Sequence, residues 1–370
     1  FIIVITFTWF FFFFPYYLRR DASNLAKQRP LSTDVIYNIE RTIVLLFVIA
    51  FVFFCFNMFM FKEKLQDADL ALASSAVTKL PSDAKALQDS AIEKRQLGQF
   101  DEAIKLFDAA IKVHPRDDKL LYDRALTAFF VRRLQEAEDG FLRVQALNPK
   151  NVNASIKLAE LKYFSSGDAS QALVLMSGEQ AEVLLYKIEL LTAQRKYDAA
   201  LALIPAYQAS SPAAASQTPM VKGILLASAG RQEAAIPLLL AARTKLAKDL
   251  ASVPGYSVEA QIYKHQLALV EAYIGNERVA RELTLEALAL MPPEKDATIG
   301  AIGISRAAHM YAVLDRADLV VEMLARLRTL PGTDLRTSAA SLRADPVWDK
   351  INDDQRFQDE IIQFEKLDNL

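Results

Sequence analysis

Glycine is scarce in this 370-residue chain, with 11 residues and none before Gly98, against an average usage of roughly 7%. That shortage argues against a β-sandwich and against any fold built on glycine-rich phosphate loops. There is one cysteine, Cys55, so an intrachain disulfide and a thiolate zinc site are both excluded. The three histidines, His114, His265 and His309, include no pair at the i,i+4 spacing that sets two metal ligands on one helical face. Gly-x-Ser-x-Gly, Walker and Rossmann patterns are missing too. No catalytic, cofactor or metal residue is assigned, and the chain is read as a non-enzyme. Neither sign of charge dominates: 43 Lys+Arg against 45 Asp+Glu give a net charge of −2. Such a chain carries no electrostatic footprint for nucleic acid. With 52% hydrophobic and 24% charged residues, it suits a folded, helix-rich protein rather than a disordered one.

The phenylalanines are unevenly spread. Fourteen of 22 lie in residues 1–61. Residues 1–18 (FIIVITFTWFFFFFPYYL) contain no charge, and residues 43–61 (IVLLFVIAFVFFCFNMFMF) contain only the amide of Asn57 as a strongly polar group. A helix crosses a bilayer core with about 20 apolar residues, so 43–61 reads as a transmembrane helix and 1–18 as a second one. The first stretch carries Pro15 and begins at Phe, not Met. The expectation is that its start lies upstream or was altered by processing. It lacks the basic leader and small-residue cleavage site of a signal peptide. The intervening loop, 19–42, holds five basic residues (Arg19, Arg20, Lys27, Arg29 and Arg41), against three (Lys62, Lys64 and Lys79) in 62–80 beyond the second stretch. That bias places the loop in the cytoplasm and the long C-terminal part on the other side of the membrane. A polar linker, 62–83, follows.

From residue 84 the pattern becomes alanine-rich and helical. Ala84–Pro115 and Asp118–Pro149 match at a spacing of 34 residues: Ala91 with Ala125, Ala103 with Ala137, Phe107 with Phe141, Pro115 with Pro149. Small residues, Ala110 among them, let two antiparallel helices approach. Each Phe fills the groove toward the next unit, and each Pro stops the second helix. A hairpin of this kind leaves an apolar face that only a neighbour covers, so several must stack. A 34-residue period of paired helices resembles the tetratricopeptide repeat family. Further units are Asn151–Gly178 with Gly167 at its bend, Val183–Pro212, Met220–Leu250, Val258–Pro292 and Ile302–Leu330. In Val258–Pro292, Ala268, Gly275, Ala280, Ala287 and Pro292 fall at the family spacings. The expected architecture is all-α: N-terminal transmembrane helices, then an α-solenoid of six to seven hairpins over 84–331, then a capping segment over 332–370.

The tail SLRADPVWDKINDDQRFQDEIIQFEK (341–366) resembles the end of tetratricopeptide regions in bacterial membrane-anchored signalling proteins of the Ser/Thr kinase and winged-helix regulator types. The kinase or DNA-binding part of those proteins is not found in this sequence. Read from its residues, the tail is a cap: Asp345-Pro346 starts a helix, and Trp348, Ile351 and Phe357 cover the last hairpin. Asp349, Lys350, Asp353, Asp354 and Gln355 supply the polar outer face. In a repeat array the concave side is the usual binding surface, and its candidate contacts are Gln88, Lys94, Tyr122, Arg124, Lys157, Lys162 and Lys187. The resemblance implies a clamp for chaperone C-terminal carboxylates only where Lys and Asn hold defined first-helix positions. Here those positions are Gln88 and Ile92, which argues against a heat-shock chaperone partner. The expected partners are the lipid bilayer and proteins of a bacterial inner-membrane complex, with the repeats in the periplasm. The alternative is the sensory half of a signalling protein.

Overall fold

The computed structural model describes residues 83–330, 332 and 337–368. The two apolar stretches, the loop between them and the linker up to residue 82 lie outside the described residues. Among the described residues there is no strand, and no helix is long and apolar enough to cross a membrane.

Residues 84–328 form seven consecutive helical hairpins. They are α1 (Ala84–Gln96) with α2 (Phe100–Val113), α3 (Asp118–Phe130) with α4 (Leu134–Leu147), and α5 (Val152–Ser166) with α6 (Ala169–Val174). Next come α7 (Ala181–Ala193) with the broken pair α8 (Tyr197–Ala202) and α9 (Ile204–Ser210), then α10 (Pro212–Ser228) with α11 (Gln232–Ala251). The last two are α12 (Val258–Ile274) with α13 (Glu277–Leu290), and α14 (Ala297–Val313) with α15 (Ala317–Arg328). The C-terminal part adds α16 (Ala339–Ala344), a 3-10 helix (Pro346–Ile351) and α17 (Gln355–Asp368).

Two local rules repeat along the array. Six of the seven first helices begin with a side-chain cap: Asp83, Asp117, Asn151, Ser211, Ser257 and Asp296 each accept from backbone N–H of the first turn, while Gln180 before α7 does not. Each such cap is worth about 1 kcal/mol. Second helices instead follow a left-handed residue two positions before their start: Gly98, Arg132, Gly167, Arg195, Gly230, Gly275 and Asp315, with φ between 58° and 95°. In six of these turns the next N–H reaches back to a carbonyl five residues earlier, as in Gln99 to Lys94 and Arg316 to Tyr311, which closes the first helix in a Schellman-type turn.

The hairpins close on alanine. Gly140 takes this furthest, since a Cβ there would lie 2.6 Å from the Cβ of Ala125. Seven of the eight phenylalanines beyond residue 61 are buried, so the aromatic content of this part is spent on packing between helices. A ladder of ion pairs adds to it: Arg133, Arg231 and Arg316 each reach the first turn of the preceding second helix, at Asp101, Asp198 and Glu277.

Two hairpin starts differ by five residues or more from those read in the sequence, and one second helix is broken. The fifth hairpin starts at Pro212, not Met220, because Ser211 caps α10 and Pro212 takes the first-turn position where a missing N–H costs nothing. Pro219 is carried inside that helix. The second helix of the fourth hairpin breaks at Leu203, just before Pro205. The seventh hairpin starts at Ala297, five residues before Ile302, since the Asp296 carboxylate accepts from Thr298 and Ile299 N–H at 2.9 Å each.

Candidate interaction surface

The packing residues singled out by the repeat lie in the hairpin cores. Ala91, Ala103, Phe107, Ala110, Ala125, Ala137, Phe141, Ala268, Ala280 and Ala287 are all fully buried. Pro115, Pro149 and Pro292 each stand two residues past the end of α2, α4 and α13, and Gly275 is left-handed at φ 95°. Phe129 links two hairpins, with its ring 6.4 Å from Phe141 and 6.2 Å from Phe164.

The seven candidate groove residues are all engaged within the chain. Gln88 is buried and donates to Asp123 at 2.9 Å. Lys94 pairs with Glu102 at 3.3 Å. Tyr122 packs on Phe141 with ring centroids 5.5 Å apart, and burial pushes its hydroxyl pKa upward. Arg124 bridges Asp108 at 3.1 Å and Glu136 at 2.8 Å, which joins three helices. Lys157 pairs with Glu160 and lies 5.7 Å from the centre of the Phe129 ring. Lys162 stands 3.8 Å from Glu138, and Lys187 donates to the Gly178 carbonyl at 3.2 Å. Arg95, which the sequence reading passed over, does similar work. It reaches the Asp123 carbonyl and the Thr127 hydroxyl at 3.3 Å each. Burial pulls its pKa down, opposed by Asp123 and by Asp296 at the start of α14. That last group stands near because α14 packs against α1, which brings the seventh hairpin to the first.

The C-terminal segment fills the edge where the hairpin turns meet. Its Trp348 is buried against the last hairpin, 4.7 Å from the His309 ring and 5.7 Å from that of Phe357, which is also buried. The segment also passes along earlier turns in order. Arg132 donates to the Thr337 carbonyl at 3.1 Å and pairs with Asp368. A Cβ on Gly167 would lie 3.0 Å from the Ala340 carbonyl oxygen. Arg195 reaches the Ala344 carbonyl at 3.5 Å and the Asp349 carboxylate at 2.5 Å. Two residues expected on a purely polar outer face are thus structural: Asp349 holds Arg195, and Lys350 donates to the Val313 carbonyl at 3.0 Å. The physical reason is that the segment covers the last hairpin and also runs along the turns of the second to fourth, so part of its polar face meets those turns instead of water.

Arg132 is the most confined of these groups. Its guanidinium lies 5.2 Å from the Phe164 ring centre and 5.5 Å from that of Phe364, and burial pulls its pKa down to about 10. His265 is buried between α12 and α14, where desolvation and the nearby Arg306 lower its pKa to about 3. At neutral pH it is an uncharged core group. His114 is exposed at the end of α2. Among the described residues no group of His, Cys, Asp and Glu converges as a metal site.

A cleft of about 500 Å³ opens at the break in the fourth hairpin. Leu201, Ile204, Pro205, Thr218, Pro219 and Leu226 line it, with Lys222 at its exposed rim.

No family model matches the chain, and no curated protein matches it. Similar solved structures include a tetratricopeptide repeat protein from Parabacteroides merdae (14% identity, 78% of this chain and 99% of that one, TM-score 0.42). Another is PilW, a widely conserved type IV pilus biogenesis factor (15% identity, 70% and 97%, TM-score 0.30). A third is the tetratricopeptide domain of P58(IPK) (14% identity, 77% and 98%, TM-score 0.27). Superpositions at these scores add no argument, and the architecture rests on the helix pairing itself.

Proposed function

We propose that this chain is a membrane-anchored protein-interaction module of the tetratricopeptide kind, working as a scaffold, assembly factor or accessory subunit of a bacterial inner-membrane complex. The observation that carries the reading is the run of seven hairpins stacked through a repeated alanine face. The product of such an architecture is extended surface. Anchoring is argued from the two uncharged apolar stretches, 1–18 and 43–61, and the periplasmic position of the array from the basic bias of loop 19–42.

Two experiments test the membrane half of the reading. The full-length chain should stay with the membrane pellet through alkaline carbonate extraction; release into the supernatant would remove the anchor. A periplasm-active reporter fused after Leu370 should be active, and activity of a cytoplasmic reporter alone would reverse the topology. A second reading, the sensory half of a signalling protein, is favoured by the resemblance of residues 341–366 to that class. A kinase or winged-helix domain encoded upstream in the same reading frame would decide for it.

A further inference from the structure

We propose that residues 337–349 form a strap that fixes the coil of the array, and that Arg132 and Arg195 occupy their turns in order to fasten it. Three observations converge on this. Both arginines hold left-handed backbone, with φ of 60° and 58°, at the repeat position that Gly98, Gly230 and Gly275 fill in other hairpins. Side chains with a Cβ are strained there, while glycine is not. Local structure therefore favours glycine, and something non-local must favour arginine.

That something is visible at both positions. The Arg132 guanidinium donates to the Thr337 carbonyl and pairs with Asp368, whose carboxylate also accepts from the Ala339 N–H at 2.8 Å. The Arg195 guanidinium reaches Ala344 and Asp349. Between them, Gly167 leaves room for the strap backbone at Ala340, where a Cβ would crowd the carbonyl. The contacts advance in register: turns 132, 167 and 195 meet strap positions 337, 340 and 344–349. Meanwhile Trp348, Ile351, Phe357 and Phe364 bury the same C-terminal segment in the core of the last hairpin. The strap thus belongs to hairpin seven and is tied to hairpins two, three and four. Breaking a tie loosens the strap from that turn and opens the coil there, while Trp348, Ile351, Phe357 and Phe364 still hold the segment to hairpin seven.

The two fastenings differ in strength. The side chains of Arg132 and Asp368 are 15% and 20% exposed, whereas those of Arg195 and Asp349 are 48% and 56% exposed. The second pair is therefore the one that salt weakens.

Amide hydrogen exchange on the full-length chain tests this. Arg195→Asp, which keeps a side chain tolerated in left-handed backbone as Asp315 shows, should speed exchange in 339–349 and in the 192–196 turn by at least about tenfold. Exchange in α12 should stay unchanged. The double variant Arg195→Asp with Asp349→Arg should restore protection. Arg132→Gly should accelerate 337–344 in the same manner. Unchanged exchange in the strap would overturn the proposal. So would a uniform rise across all seven hairpins, or failure of the charge-swapped pair to recover.

Discussion

At the scale of the residue, adjacent side chains carry very different weight. Phe141 is fully buried between Tyr122 and Phe129, and the next residue, Leu142, is 49% exposed. Phe141→Ala should cost about 3–5 kcal/mol by urea denaturation, from lost transfer energy plus the cavity it leaves. Leu142→Ala should stay within about 0.5 kcal/mol. His265 gives a pH signature. Its pKa of about 3 in the fold lies below the 6.5 of the free side chain, so the unfolded chain binds a proton that the folded chain refuses. Stability from this group is complete above pH 6.5 and is lost as the pH falls toward 3. Between pH 6.5 and 5 the urea midpoint should drop in the wild type and drop less in His265→Gln. Equal slopes for the two would place the titration elsewhere. Phe107 and Phe141 were legible in the sequence because they repeat at 34 residues. The burial of Gln88 was not, because it depends on Asp123 in the next hairpin.

At the scale of the element, legibility follows regularity. The first, second and sixth hairpins announce themselves, since Ala, Gly and Pro recur at fixed offsets and each residue type has a local reason for its place. The fourth and fifth do not. There the second helix breaks at Leu203, and Pro219 sits within α10, where a proline removes one ladder bond and crowds the carbonyl four residues before it. Proline is a stop signal in sequence, but packing can hold a helix through it. Pro219→Ala should therefore stabilise the fold, by about 1–3 kcal/mol, with a matching rise in the urea midpoint. At a turn the sign reverses: Gly275→Ala places a Cβ in left-handed backbone and should cost about 1–2 kcal/mol.

At the scale of the whole described unit, the strap is what sequence reading could not supply. Its contacts join residues 149 to 205 positions apart, beyond any local periodicity. One hint was available: alignment at 34 residues sets Arg132 opposite Gly98, a charged side chain where glycine is unstrained. Removing residues 331–370 strips Trp348, Phe357 and Phe364 from the last hairpin, each worth about 1.5–3 kcal/mol of burial. It also strands the Arg132 guanidinium against Phe164. The truncated chain should keep most of its helical circular dichroism at low urea but unfold over a broader range, with the seventh hairpin melting first. A transition as sharp as that of the full chain would mean the segment is a dispensable tail.

The most direct test of the functional account is affinity capture of the full-length chain from mildly solubilised membranes, followed by native mass spectrometry. The account predicts one defined assembly, in which this chain and other membrane-complex proteins appear at a fixed ratio. Recovery of the chain alone at every detergent strength would contradict it.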